Sequence, residues 1–129
     1  MSVIKSMKIQ VKEAYIKNYF LNGTYELKPI LNFSISKSEN KYTLFMKMEI
    51  ENTVDNPFPI DMKVIISGIF EFESDSDDEI DRFMKKDAIQ MMYPYLRSYV
   101  MNLSASSMLS PIVLPIIDVS RIKIEDGVI

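Results

Sequence analysis

Histidine and cysteine are both absent from this 129-residue sequence, and so is tryptophan. Without an imidazole or a thiol, neither a Ser-His-Asp nor a Cys-His nucleophile can be assembled, and the usual zinc ligand sets are gone. Carboxylate- or lysine-based catalysis survives that exclusion, but general base chemistry most often uses histidine, so the expectation is a non-enzyme without a cofactor. A disulfide framework is impossible, which fits a reducing cytoplasm. Glycine numbers only 3, too few for a glycine-rich phosphate loop. No apolar run approaches the roughly 20 residues of a membrane-spanning helix. The stretch Lys8-Ile9-Gln10-Val11-Lys12 alternates where a signal peptide would be continuously apolar. A net charge of −3 gives no basic footprint for nucleic acid.

What is present reads as strands first and helix second. Met7, Ile9 and Val11 alternate with polar residues, as do Leu27 to Ile35 around Pro29, then Tyr42 to Ile50, then Phe58 to Phe72. That period of two predicts four antiparallel strands near residues 5–16, 26–36, 41–52 and 58–72. Gly68 interrupts the fourth and marks a bulge or a close backbone approach. Ser76-Asp77-Asp78-Glu79 is a capping box at a helix start. Apolar residues at helical spacing then predict a main helix near 77–104, broken or bent at Pro94. One domain over residues 1–129 is expected, an α+β fold with the helix packed on the sheet.

The helix carries two apolar stripes, Ile80-Met84-Ala88-Met91-Tyr95-Tyr99 and Phe83-Met92-Leu96-Val100-Leu103. The first is expected to cover the sheet. Part of the second then needs a partner subunit, which makes a homo-oligomer a physical expectation. The acids Glu71, Glu73, Asp75, Asp77, Asp78, Glu79 and Asp81 crowd one turn. Counting from Asp75, a calcium loop would need glycine at Ile80 and glutamate at Lys86, so a solvated turn beside the helix N-terminus is the reading. The 10 methionines suit either core filling or an adaptable binding surface.

Four motifs, in order and at matching spacing, give a resemblance: Tyr15-Ile16-Lys17-Asn18, Gly68-Ile69-Phe70, Tyr93-Pro94-Tyr95-Leu96-Arg97 and Pro111-Ile112-Val113-Leu114-Pro115-Ile116-Ile117-Asp118. Across roughly residues 7 to 119 the chain resembles the SecB family of protein-export chaperones. The resemblance implies a SecB-like four-stranded antiparallel sheet packed against a long kinked helix. It implies a cytoplasmic chaperone subunit, tetrameric first and dimeric second, that holds unfolded or nascent polypeptide in an apolar groove and keeps it translocation- or folding-competent. The residues expected to line that groove are Leu44, Met46, Met92, Tyr95, Ile112, Leu114 and Ile116.

Three departures qualify the export role. Positions where export-type members carry acids for docking the SecA motor fall on Asn18, Asn22 and Lys63. The family's long C-terminal helix is truncated or absent, with only Asp118 to Ile129 in its place. The chain is also less acidic than export-type members. The alternatives are a client-dedicated chaperone of a toxin–antitoxin system, which would bind an antitoxin, or an interaction subunit on the same fold.

Overall fold

The computed structural model describes residues 4–73 and 76–129. The alternating stretches form β1 (Ile4–Asn18), β2 (Ile30–Ser38), β3 (Lys41–Ile50) and β4 (Ile60–Phe72). Hydrophobic residues at every second position place Leu44, Met46 and Met48 of β3 and Val64, Ile66 and Phe70 of β4 on one buried face. β3 and β4 run antiparallel in unbroken register from Lys41 opposite Glu71 to Ile50 opposite Met62. β1 lies on the far side of β4, with register shifts between Ile4 and Ser6 and between Val11 and Glu13. Pro29 stops short of the ladder, so β2 begins at Ile30.

The sheet has five strands, one more than the four expected. A short β5 (Ile124–Asp126) pairs parallel to β2, giving the order β1-β4-β3-β2-β5 in a mixed sheet. Three residues carry too little periodicity to be read as a strand; only the proximity of the β2 edge makes them one. The preceding residues Val119–Arg121 form a single 3-10 turn whose N-cap is Asp118.

The helical region is interrupted at Lys86, eight residues before Pro94. α1 (Asp77–Lys85) and α2 (Asp87–Ser106) meet at Lys86, whose φ of −133° and ψ of −70° leave the helical region. Pro94 lies inside α2. The Ser76 side chain accepts the Glu79 N–H at 3.3 Å, so the capping box opens α1 where the sequence placed it. Around it, Asp77 pairs with Lys37 at 3.4 Å and Asp81 with Lys85 at 3.0 Å. Asp75, also counted in the acidic turn, lies outside the described residues.

Both helices sit on the face of β3 and β4. Phe83 of α1 meets Phe70 and Phe72 edge-on, with centroids 5.9 and 5.5 Å apart. Gly68 is a close approach: a Cβ there would stand 2.3 Å from Met92 Sδ. On α2 the second stripe meets the sheet, with Ala88 of the first also buried, against the expectation that the first stripe alone covers it. Met92, Leu96 and Val100 are buried on the sheet, together with Ile89 and Tyr93, while Met91 and Tyr95 face outward. The break at Lys86 is the physical reason, because it lets α2 rotate relative to α1 and resets which residues meet the sheet.

Candidate functional site

After β1 the chain must reach β2, which lies three positions away in the sheet. Residues 19–29 make that crossing along one end of the molecule, and several local contacts fix their path. The Asn18 side chain accepts the Phe20 N–H at 2.8 Å. This turn holds Phe20 at φ +57°, a left-handed conformation that costs a non-glycine residue about 1 kcal/mol or more. Phe20 is nevertheless 84% exposed. Gly23 at φ +120° completes the turn, and the Tyr25 hydroxyl donates to the Asn22 carbonyl at 2.8 Å.

Asp61 joins this crossing segment to the loop between β3 and β4. One carboxylate oxygen accepts the Asn52 N–H at 2.7 Å, and the other accepts the Tyr19 hydroxyl. That hydrogen bond to a carboxylate raises the Tyr19 phenol above its ordinary value. The Asn52 side chain in turn accepts the Phe58 N–H at 3.1 Å. Tyr25 and Phe58 then meet edge-on across the gap, centroids 6.5 Å apart.

The third wall is the apolar segment after α2. Its extended path is set by α2 as well as by its prolines. The Tyr93 hydroxyl donates to the Pro115 carbonyl at 2.7 Å, and Arg97 Nε donates to the Leu114 carbonyl at 3.1 Å. The buried Ser104 hydroxyl accepts the Ile112 N–H at 2.9 Å. Burial raises the Tyr93 phenol above its ordinary value, partly offset by the Arg97 cation. The Tyr-Pro-Tyr-Leu-Arg motif therefore supplies two of the three clamps on the Pro-Ile-Val-Leu-Pro segment.

Between these walls lies an open cleft of about 510 Å³, lined by Phe20, Leu21, Tyr25, Phe58, Pro111 and Val113 among others. It is mainly apolar, with no ionisable group other than the Tyr25 phenol among its lining residues. Such a surface can bind by area and shape.

The expected groove residues are distributed differently. Leu44, Met46, Met92 and Leu114 are core residues with 1% exposure or less, and Ile112 is buried although it also lines the cleft. Tyr95 and Ile116 are exposed. Periodicity identifies apolar residues but not their facing; these five face the sheet–helix interior. The sequence reading assigned nothing to Phe20 and Leu21, and the available signal was an aromatic–aliphatic pair beside Asn-Gly between two strands. The methionines divide similarly: Met46, Met48, Met62, Met84 and Met92 fill the core, while Met91, Met101 and Met108 are exposed.

Asn18, Asn22 and Lys63 do not form one surface. Asn18 and Asn22 line the apolar cleft. Lys63 is on the opposite sheet face, 3.6 Å from Glu13, in a hollow it shares with Glu49, Glu51 and Asp61. Among the described residues, no helix is long and apolar enough to cross a membrane.

Comparison with known proteins agrees with this architecture. The model of the family described as preprotein translocase subunit SecB matches residues 5–123. A solved structure of a SecB-like chaperone of Mycobacterium tuberculosis, in complex with a ChAD peptide from the HigA1 antitoxin, superposes with a TM-score of 0.69 at 13% identity. The match covers 91% of this chain and 88% of that one. An uncharacterised protein of Methanocaldococcus jannaschii is 24% identical over 82 residues, 63% of this chain and about half (53%) of that protein's length.

Proposed function

This chain belongs to the SecB family, and on that premise we propose that it is a non-catalytic chaperone subunit that holds unfolded or nascent polypeptide in the apolar cleft between the crossing segment and the segment after α2. The observation that carries the reading is the exposed Phe20, held at φ +57° at the edge of a preformed apolar cleft. A left-handed aromatic side chain facing solvent is costly for folding alone, and strain of that kind is retained where it serves binding. The walls are fixed by Asp61, Tyr93, Arg97 and Ser104, so a client meets a surface already ordered and less entropy is lost on docking.

The test is suppression of aggregation of an unfolded client. Phe20→Asp alters an exposed side chain (84% exposed) at the cleft and should remove holding while leaving the thermal transition nearly unchanged. Leu114→Asp is a fold control, because Leu114 is 1% exposed and burying an unpaired carboxylate costs roughly 4 kcal/mol. Val113→Asp, at an exposed position that does line the cleft, should act as Phe20→Asp does, and normal holding by both Phe20→Asp and Val113→Asp would refute the cleft.

A client-dedicated role is favoured by the fold shared with the mycobacterial chaperone and its antitoxin peptide. In that reading one peptide binds far more tightly than denatured proteins at large, and a co-purifying antitoxin identifies it. We further propose that SecA docks weakly. Asn18, Asn22 and Lys63 stand where export-type members carry acids, and exposed charge contacts are worth about 1 kcal/mol each. Because Asn18 and Asn22 lie apart from Lys63, acid is restored at each place separately, and Asn18→Asp with Asn22→Glu, or Lys63→Glu, should tighten SecA binding at low salt, where screening is weakest. Tight SecA binding by the unaltered chain would overturn it.

A further inference from the structure

The sheet face turned away from the helices is mostly polar, yet Phe45 and Ile65 at its centre are buried, and so is Ser34 beside them. The chain itself lies across this face. Ile124–Asp126 adds to the β2 edge, and Gly127, at φ +113°, turns the segment. The Gly127 N–H donates to the Ile35 carbonyl at 3.0 Å, and Ser34 Oγ donates to the Gly127 carbonyl at 2.5 Å. At the far side, Lys12 of β1 donates to the Ile129 carbonyl while its ammonium lies 5.0 Å from the Phe45 ring centroid. Residues 124–129 thus form a strap fastened at the β2 edge, at Ser34 and at Lys12.

The fastening is slight. Only three residues join the ladder, and Val128 is 70% exposed. Short edge strands with few buried contacts open far more readily than the core. When this one opens, it uncovers a row of unpaired backbone groups on β2 and frees the Ser34 hydroxyl and the Lys12 ammonium on the sheet face. An exposed edge of that kind is satisfied by another strand. We infer that the β2 edge and the adjoining outer sheet face form a second polypeptide-docking surface, which residues 124–129 fill in cis and an extended segment of another polypeptide fills in trans. The chemistry of the occupant follows from the one already seated: aliphatic residues two apart, as Ile122 and Ile124 are, then an acid and a glycine that turns the chain across the sheet. This surface is distinct from the cleft, which lies at one end of the helix-bearing side.

A labelled synthetic peptide of residues 122–129, titrated into the full chain, tests this directly. The strap competes with it, so affinity in the unaltered chain is reduced by the fraction of time the strap is closed. Gly127→Val strains only the strap, because nothing stands within 4 Å of the added Cβ and the φ is one valine avoids. It should tighten peptide binding by about ten-fold, as expected if the strap is open roughly a tenth of the time. Ser34 and Glu125 are register partners, and the chain has no other cysteine, so Ser34→Cys with Glu125→Cys can lock the strap by a disulfide. In the Phe20→Asp background, where the cleft is disabled, the oxidised form should not bind the peptide, and reduction should restore binding. Phe20→Asp should leave this affinity unchanged whether or not the cleft holds clients. Equal affinity in the unaltered chain and Gly127→Val, binding to the oxidised form, or loss through Phe20→Asp would each overturn the inference.

Discussion

Ser104 shows how much one small side chain can decide. Its hydroxyl donates within the last turn of α2, to Val100 and Met101, and accepts from the Ile112 N–H eight residues on. Ser104→Ala would leave that buried N–H without its acceptor, a loss of about 1–3 kcal/mol. Chemical denaturation should register it, and hydrogen exchange should show the 109–117 segment loosening before the sheet does. Tyr93 acts on the same segment with a defined pH dependence. Its folded pKa is raised, chiefly by burial. Its contribution is therefore fully present below the ordinary tyrosine pKa of 10.0 and is lost as pH rises through the higher folded value. The segment should stay docked across the neutral range and release only under alkaline conditions, above the pH at which exposed tyrosines ionise. Release near neutrality would show that the bond to Pro115 is not what holds it. Tyr93→Phe should abolish the alkaline step.

At the scale of the element, the helical region is governed by Lys86 and not by the proline that draws attention in the sequence. A proline inside a helix removes one backbone hydrogen bond and crowds the preceding turn. In α2 that cost is borne at an exposed position, and the helix runs on to Ser106. Pro94→Ala should therefore stabilise the protein by about 1–2 kcal/mol, the regained hydrogen bond outweighing the greater freedom of the unfolded chain. Thermal unfolding would show it as a raised midpoint. A fall in stability would mean that Pro94 shapes the helix in a way the bend at Lys86 does not replace. The same bend accounts for Met91 and Tyr95 facing outward while Met92, Leu96 and Val100 are buried.

At the scale of the whole molecule, one edge of the sheet leaves apolar side chains uncovered. β1 is an edge strand of 15 residues. Met7 and Val11 share a face with Phe70 and Ile66, the face the helices cover on β4, yet both remain exposed. A long edge strand with apolar residues is a template for pairing, and two copies can pair antiparallel about a two-fold axis so that residue i of one meets residue j of the other and j meets i. A homo-oligomer is expected, and light scattering at micromolar concentration should give a mass of at least two 15.0 kDa chains. Val11→Lys should shift that mass toward the monomer without unfolding the sheet, because Val11 is outside the core. A monomeric unaltered chain would contradict the expectation.

The sequence by itself determined the four long strands and the start of the helix. These are local properties: a period of two over many residues, and a capping box whose partners are three positions apart. It also carried the spaced motifs by which the family was read. What it could not determine was facing and long-range contact. Leu114 and Ile116 are equally apolar and two residues apart, yet one is core and the other is 88% exposed, because the clamps from Arg97 and Tyr93 fix how the segment lies on α2. β5 exists only because the fold brings Ile124–Asp126 to the β2 edge. Phe20 becomes part of a cleft only when Asp61 of β4 ties the crossing segment at Tyr19, 42 residues before it, to the β3–β4 loop at Asn52. Each of these outcomes depends on groups distant along the chain, and tertiary packing alone brings them within reach.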